Sequence, residues 1–244
     1  MKLLIIRHGD PDYEKDTLTA KGWHEAELLG ERLSRQKIDY YYVSPLGRAQ
    51  DTAKPTLEKA GKKAEVREWL HEFDLKRIHR PDVSDRRMIA WDWLPADWMS
   101  EERFFRADLW DTQPAMAEGE IGDYFRSVTT AFDELLCGHG YRRNGHYYDV
   151  VRPNTDVIAL FCHQGAACVL LSHLLSVSPM ILWHGIALAP SSVTTVVTEE
   201  RRPGIACFRA TGIGDISHLY AADEEPSPSA RFCECYTHKD ERHD

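Results

Sequence analysis

No apolar run in this chain of 244 residues approaches the ~18 that a membrane-spanning helix requires. The apolar start, Met1-Lys2-Leu3-Leu4-Ile5-Ile6, is too short for a secretory signal, and no small-residue cleavage site follows it. A cytoplasmic protein is expected. Positive charge is in deficit, with 30 Lys and Arg against 39 Asp and Glu and a net charge of −9. That balance argues for no nucleic acid and no membrane as partner. Cysteine is sparse, six in all. Cys137, Cys162, Cys168 and Cys207 fall in apolar patterns where a thiol packs as a small hydrophobe. Cys233 and Cys235, near His238 and His243, form the one close pair, and their spacing matches no zinc pattern. The histidines show neither His-x-His nor His-Glu-x-x-His, and there is no Gly-rich phosphate loop. A metallohydrolase and a nucleotide kinase are therefore disfavoured, and no metal is expected.

Strands alternating with helices are what the chain does contain. Lys2 to Ile6 is a buried strand that runs straight into Arg7-His8-Gly9. A helix of about fifteen residues follows, with apolar residues Trp23, Ala26, Leu29 and Leu33 at helical spacing and Thr19 as N-cap. Tyr40 to Val43 is a second strand ending at Ser44-Pro45, and a helix from about Arg48 to Ala60 is closed by Gly61. Ala64 to Trp69 reads as a third strand, with Leu70-His71-Glu72 at its end. A long excursion, about residues 76–153, then interrupts the alternation and reads as a cap inserted into the core. It holds Trp91, Trp93 and Trp98, a helix from Glu101 to Trp110, an amphipathic helix from Glu120 to about Cys137, and an Asn144-Gly145 hairpin turn. The core resumes with the strand Val157 to Phe161, which ends at Cys162-His163-Gln164-Gly165 and leads into a helix. Strands Val193–Thr198 and Ile205–Arg209 complete it. The pattern predicts an α/β fold: a three-layer α/β/α sandwich with a mixed, mostly parallel sheet and an inserted helical cap. One catalytic domain is expected over residues 1–222, followed by a polar, acidic tail over 223–244 that is loosely ordered or draped on the surface.

Two histidines, His8 and His163, each follow a buried strand and stand beside or near a glycine. Open α/β sheets place ligands at the carboxyl ends of their strands, so neighbouring strands would bring both into one crevice. For any single histidine a satisfied structural role is the more common one, and His173, inside a helical stripe, keeps that role. Arg7 beside His8 offers a planar, permanent cation suited to phosphate oxygens. Arg48 stands in the first turn of a helix, where the macrodipole disfavours a cation, so its placement suits an anion better than it suits the helix. Glu72, just past the third strand, puts a carboxyl within reach of the same edge. An imidazole nucleophile, cations for a phosphoryl dianion and a carboxyl acid are the parts that phosphoryl transfer through histidine requires.

Arg7-His8-Gly9, the Ser44–Ala53 segment with Arg48, Glu72 and His163 resemble the histidine phosphatase superfamily in its phosphoglycerate-mutase-like branch. The resemblance covers Lys2 to Leu75 and Thr155 to about Leu219. It implies that His8 is the phosphorylated nucleophile and that Arg7, Arg48 and His163 bind the phosphoryl group. Glu72 would be the proton donor and then the base for water. It also implies a six-stranded mixed sheet and neither metal nor cofactor. The chain departs from the mutases at Asp10-Pro11-Asp12-Tyr13, at Gln164 after the second histidine, and at Phe73-Asp74-Leu75 after Glu72. These departures favour a phosphatase acting on a small phosphorylated substrate over a mutase. A pseudoenzyme that only grips phosphorylated partners would have lost one of the core residues, and all are present. The cap arginines Arg77, Arg80, Arg86 and Arg87 and the three tryptophans leave two leaving-group classes open, aromatic or multiply anionic. A homo-oligomer also stays open.

Overall fold

The computed structural model describes residues 1–229 and, beyond them, the backbone of two short paired strands, Glu234–Cys235 and His238–Arg242. Cys233, His243 and the side chains of Cys235 and His238, the pair weighed above for metal, lie outside the described residues.

Eight strands form the main sheet. In chain order they are β1 (Lys2–Arg7), β2 (Tyr40–Val43), β3 (Glu65–Val66), β4 (Tyr141–Asn144), β5 (Tyr147–Val150), β6 (Val157–Cys162), β7 (Val193–Arg202) and β8 (Ile205–Asp215). Their spatial order is β3-β2-β6-β1-β7-β8-β5-β4. Pairing is parallel from β3 to β1 and antiparallel from β1 to β4. The sheet is mixed, as expected, but only that first half is parallel. The β7–β8 and β4–β5 hairpins fold straight back on themselves, which makes those two pairs antiparallel.

The principal helices are α1 (Ala20–Ser34), α2 (Gly47–Ala60), α3 (Ile121–Gly138), α4 (Gln164–Leu175) and α5 (Pro179–Gly185). Thr19 caps α1 by accepting from the Gly22 N–H, and Gly61 ends α2 in the left-handed region at φ 62°. Side chains alternate across β1. Leu4 and Ile6 join Leu29, Leu33, Ala49 and Ala53 of α1 and α2 on one face. Leu3 and Ile5 join Phe132, Leu136, Val169 and Leu170 of α3 and α4 on the other. Period-2 burial on both faces of a central strand is what a three-layer sandwich demands.

Five local expectations are corrected. The third strand shrinks to two residues, because Glu68–Leu70 winds into a 3-10 turn that carries the chain to Glu72. The segment from Glu101 to Trp110 is not one helix but two 3-10 turns, Glu102–Phe105 and Trp110–Thr112. The hairpin with Gly145 at its turn adds β5 and β4 to the main sheet, so there are eight strands where the resemblance implied six. The cap is accordingly not continuous over residues 76–153, since α3 packs in the helical layer and the hairpin in the sheet. Cys137 and Cys207 are exposed, while Cys162 and Cys168 are buried as expected.

Candidate active site

Strand register brings the two histidines together. β1 pairs in parallel with β6 from Lys2↔Val157 to Arg7↔Cys162, so the next residues, His8 and His163, emerge side by side at the carboxyl edge. Their ring centroids are 5.1 Å apart. His8 is 2% exposed and His163 fully buried. The Nδ1 of His8 lies 2.8 Å from the Gly9 carbonyl. A carbonyl only accepts, so Nδ1 carries the proton and Nε2 of the neutral ring carries the lone pair. Burial first, and then the positive charge of Arg7, hold His8 well below the ordinary histidine value. Burial likewise depresses His163, with His8 and Arg48 adding to it. Both rings are neutral at pH 7.

Parallel pairing of β2 with β6 carries Ser44 to the same edge, where its Oγ is hydrogen-bonded to His163 Nε2 at 2.7 Å. That bond fixes the ring, and the buried Nδ1 of His163 has no protein partner. Thr52 on α2 ties the His8–Gly9 turn to the helix. Its Oγ1 accepts from the Gly9 N–H at 2.9 Å and donates to the Arg48 carbonyl at 2.7 Å.

The cations are held with care. Arg7 is 1% exposed, and among the described residues no carboxylate forms an ion pair with it. Its Nη1 donates to the Leu188 carbonyl and its Nη2 to that of Ser229 at 3.0 Å, while its buried Nε has no partner. Two carbonyls orient this guanidinium without neutralising it, and a buried cation left in that state favours an anionic ligand. Arg48 is positioned by Asp16, whose carboxylate accepts from Arg48 Nη1 and from the Gly47 N–H, each at 2.6 Å. A Cβ on Gly47 would stand 2.2 Å from the Asp16 carbonyl oxygen, so this close approach requires glycine. The Nε of Arg48 is also buried without a partner.

Glu72 is 8% exposed and lies at the first turn of α4. Its Oε1 accepts from the Phe73 N–H at 2.7 Å and from the Ala166 N–H at 3.0 Å. Burial raises its pKa against the pull of those two bonds. Gly165 makes the approach feasible: a Cβ there would stand 2.7 Å from Glu72 Oε1 and 2.6 Å from Trp91 Nε1. Trp91 Nε1 in turn donates to the Phe73 carbonyl at 2.9 Å.

All five side chains singled out from the sequence, Arg7, His8, Arg48, Glu72 and His163, are thus buried at one edge. Several contributors have weaker sequence signals. Ser44 stands at a strand end, a weaker sequence signal than the cation of Arg48 in a helix's first turn. Asp16, at φ 49°, has no local pattern to mark it. Gln164 is a departure from the mutase pattern, yet its amide nitrogen donates to the Ile186 carbonyl at 2.8 Å and its oxygen accepts from the Leu188 N–H at 2.9 Å. It thereby holds the segment on which Arg7 rests. Asp10 is structural, accepting from Thr19 at 2.6 Å and from Ser227 Oγ at 2.5 Å. The start of the tail is not loose: Ser227 is 1% exposed, and the chain lies against the site through Ser229. Arg80 is bound by Asp82 and Asp97 and stacks on Trp93 at 4.5 Å, so it serves the cap's own structure. No helix among the described residues is long and apolar enough to cross a membrane.

The family model of the histidine phosphatase superfamily (branch 1) matches residues 3–139. The chain is 30% identical over 95 residues to the phosphoglycerate-mutase-type protein GpmB of Serratia proteamaculans, covering 35% of this chain and 42% of that one. It is 39% identical over 70 residues to phosphoglycerate mutase 1 of Saccharomyces cerevisiae, covering 24% and 28%. The matched segments thus span less than half of either relative. Among solved structures, phosphoserine phosphatase from Entamoeba histolytica superimposes with a TM-score of 0.58 at 19% identity, covering 89% of this chain and 98% of that one. At that identity the likeness speaks for the fold alone.

Proposed function

Because the chain belongs to the histidine phosphatase superfamily, we propose that it is a metal-independent phosphatase that hydrolyses a phosphomonoester through a phosphohistidine intermediate on His8. The observation that carries this is the locked, neutral imidazole of His8, with its Nδ1–H on Gly9 and its Nε2 lone pair free to attack. Nε2 forms a bond to phosphorus as the bond to the ester oxygen breaks. Arg7, Arg48 and His163 supply N–H groups and positive charge for the three equatorial oxygens. Glu72, its pKa raised by burial, gives its proton to the leaving alkoxide and becomes a carboxylate. That carboxylate then takes a proton from water, the hydroxide attacks phosphorus, and His8 is released with inorganic phosphate. Atoms and protons balance over the two steps.

Hydrolysis is favoured over a mutase reaction by the stretch after Glu72. Phe73 is buried and stacks on Tyr124 at 4.4 Å, and Asp74 pairs with Arg77. Lys76 pairs with Glu120, so among the described residues the stretch Phe73–Arg77 offers no unpaired cation to retain a second anionic group. The test is rapid-quench labelling with a phosphomonoester in wild type and His8→Ala. An acid-labile, base-stable adduct on His8, and a loss of turnover of at least about three orders of magnitude in the variant, are expected. A label on serine or cysteine, or interconversion of 2- and 3-phosphoglycerate without release of phosphate, would overturn it.

A further inference from the structure

The second histidine of the site meets a buried hydroxyl whose proton has one place to go. β2 pairs in parallel with β6 as far as Val43↔Phe161, and the Ser44 N–H adds a bond to the Phe161 carbonyl at 2.9 Å. That pairing seats the Ser44 side chain against the His163 ring, with Oγ 2.7 Å from Nε2. Pro45 then turns the chain and has no N–H to offer. The next amide, that of Leu46, folds back and donates to Ser44 Oγ at 3.2 Å. Ser44 and His163 are both fully buried, and the Nδ1 of His163 has no partner among the described residues.

Resting on the phosphatase reading for the ligand, we infer that Ser44 is a positioning residue that fixes His163 in the tautomer with its proton on Nδ1. The neutral ring then serves as a hydrogen-bond donor to the phosphoryl group and takes no part in proton transfer. A hydroxyl has one proton to give. The Leu46 N–H can only donate, so among the described residues His163 Nε2 is the acceptor that the Ser44 hydroxyl has. A proton on Nε2 would instead point two N–H donors at Oγ and strand the hydroxyl proton inside the protein, the costly kind of unmade hydrogen bond. An imidazolium would do the same, and burial, together with His8 and Arg48, opposes that charge as well. With Nε2 occupied, Nδ1 is the ring nitrogen left for a ligand. Its N–H attracts a phosphoryl oxygen, which a bare lone pair would repel. The two rings, with centroids 5.1 Å apart, thus receive opposite tasks from their neighbours. Gly9 holds the His8 proton on Nδ1 and leaves Nε2 to attack, while Ser44 blocks Nε2 of His163 and leaves its Nδ1–H to bind. Proton transfer falls to Glu72.

Nuclear magnetic resonance reads the tautomer without any catalysis. In protein carrying isotope-labelled histidine, proton–nitrogen correlation through the ring bonds distinguishes a protonated, pyrrole-type nitrogen from a bare, pyridine-type one. The His163 signals are those absent from His163→Gln. Wild type should show a pyrrole-type Nδ1 and a pyridine-type Nε2 at His163, and the Nδ1–H signal should move when inorganic phosphate binds. Ser44→Ala should lose that pattern and bind phosphate about tenfold more weakly, with kcat/KM for p-nitrophenyl phosphate falling by a similar factor. Ser44→Thr, which keeps the hydroxyl, should restore the tautomer and most of the affinity. A wild-type His163 protonated on Nε2, alone or as imidazolium, overturns the inference, and this spectrum decides even if Ser44→Ala fails to fold. An Nδ1–H signal that saturating phosphate leaves unmoved also overturns it, as does a Ser44→Ala protein that keeps both the tautomer and the phosphate affinity. The expected spectrum and phosphate response in a protein that hydrolyses no phosphomonoester would support the His163 assignment and overturn the phosphatase reading instead.

Discussion

Replacing Glu72 by glutamine separates its chemistry from its structural role. The Oε1 of Glu72 is the acceptor for both backbone bonds, from Phe73 and Ala166. A glutamine amide oxygen can take the same two bonds in the same place, so folding stability should change by no more than about 1 kcal/mol. What vanishes is the acidic proton on the other oxygen. General acid catalysis contributes about 10²–10⁴-fold, and an alkyl phosphate such as propyl phosphate should lose that much in kcat/KM. A p-nitrophenolate leaves unprotonated, so kcat/KM for p-nitrophenyl phosphate, which reports the step up to phosphoenzyme, should stay within about threefold. Its kcat should nevertheless fall, because the variant also lacks the base that activates water. Stopped-flow traces should then show a burst of p-nitrophenolate close to one equivalent per active site, followed by a slow steady state and an accumulated phosphoenzyme. Equal fold losses in kcat/KM on both esters, or a slow trace without a burst, would refute the assignment and leave Glu72 a structural residue.

Gly165→Ala would place a methyl group 2.7 Å from Glu72 Oε1 and 2.6 Å from Trp91 Nε1, so kcat/KM should drop by roughly two orders of magnitude while circular dichroism stays native, as expected when a catalytic group is moved by about 1 Å. Acid should destabilise the fold through its neutral buried imidazoles. His8 and His163 are depressed by burial and His218 is lowered to about 4, so the unfolded chain binds more protons below pH 6.5. Stability is therefore full above pH 6.5 and falls as pH drops, His218 alone accounting for roughly 3 kcal/mol by pH 4. Urea melts between pH 7 and 4 should show a shallower decline in His218→Asn than in wild type, and parallel declines would remove His218 from the account.

The sequence determined the parts and their order. Continuous apolar runs at Leu3–Ile6 and Ile158–Phe161 fixed two buried central strands, because each side chain there had to find a core on one face or the other. Caps at Thr19 and Gly61 fixed two helix ends by local hydrogen bonding and backbone freedom. His8, His163, Arg7, Arg48 and Glu72 could be picked out because strand ends and a helix start are local features. The tertiary structure alone decided the rest, since it rests on contacts between residues far apart in the chain. Hairpin Tyr141–Val150 joined the sheet instead of the cap because β8 offered it an edge, which no local pattern announces. Glu101–Trp110 failed to form one helix; its turns pack Phe104 and Trp110 into the core, a demand set by residues such as Trp93 and Trp183. Asp16 on Arg48, Ser44 on His163, Ser229 on Arg7 and Trp91 beside Glu72 are likewise pairs made by the fold. Composition could not choose between an aromatic and an anionic leaving group, because it counts the cap arginines without their partners. Pairing Arg80 with Asp82 and Asp97 takes its charge out of play.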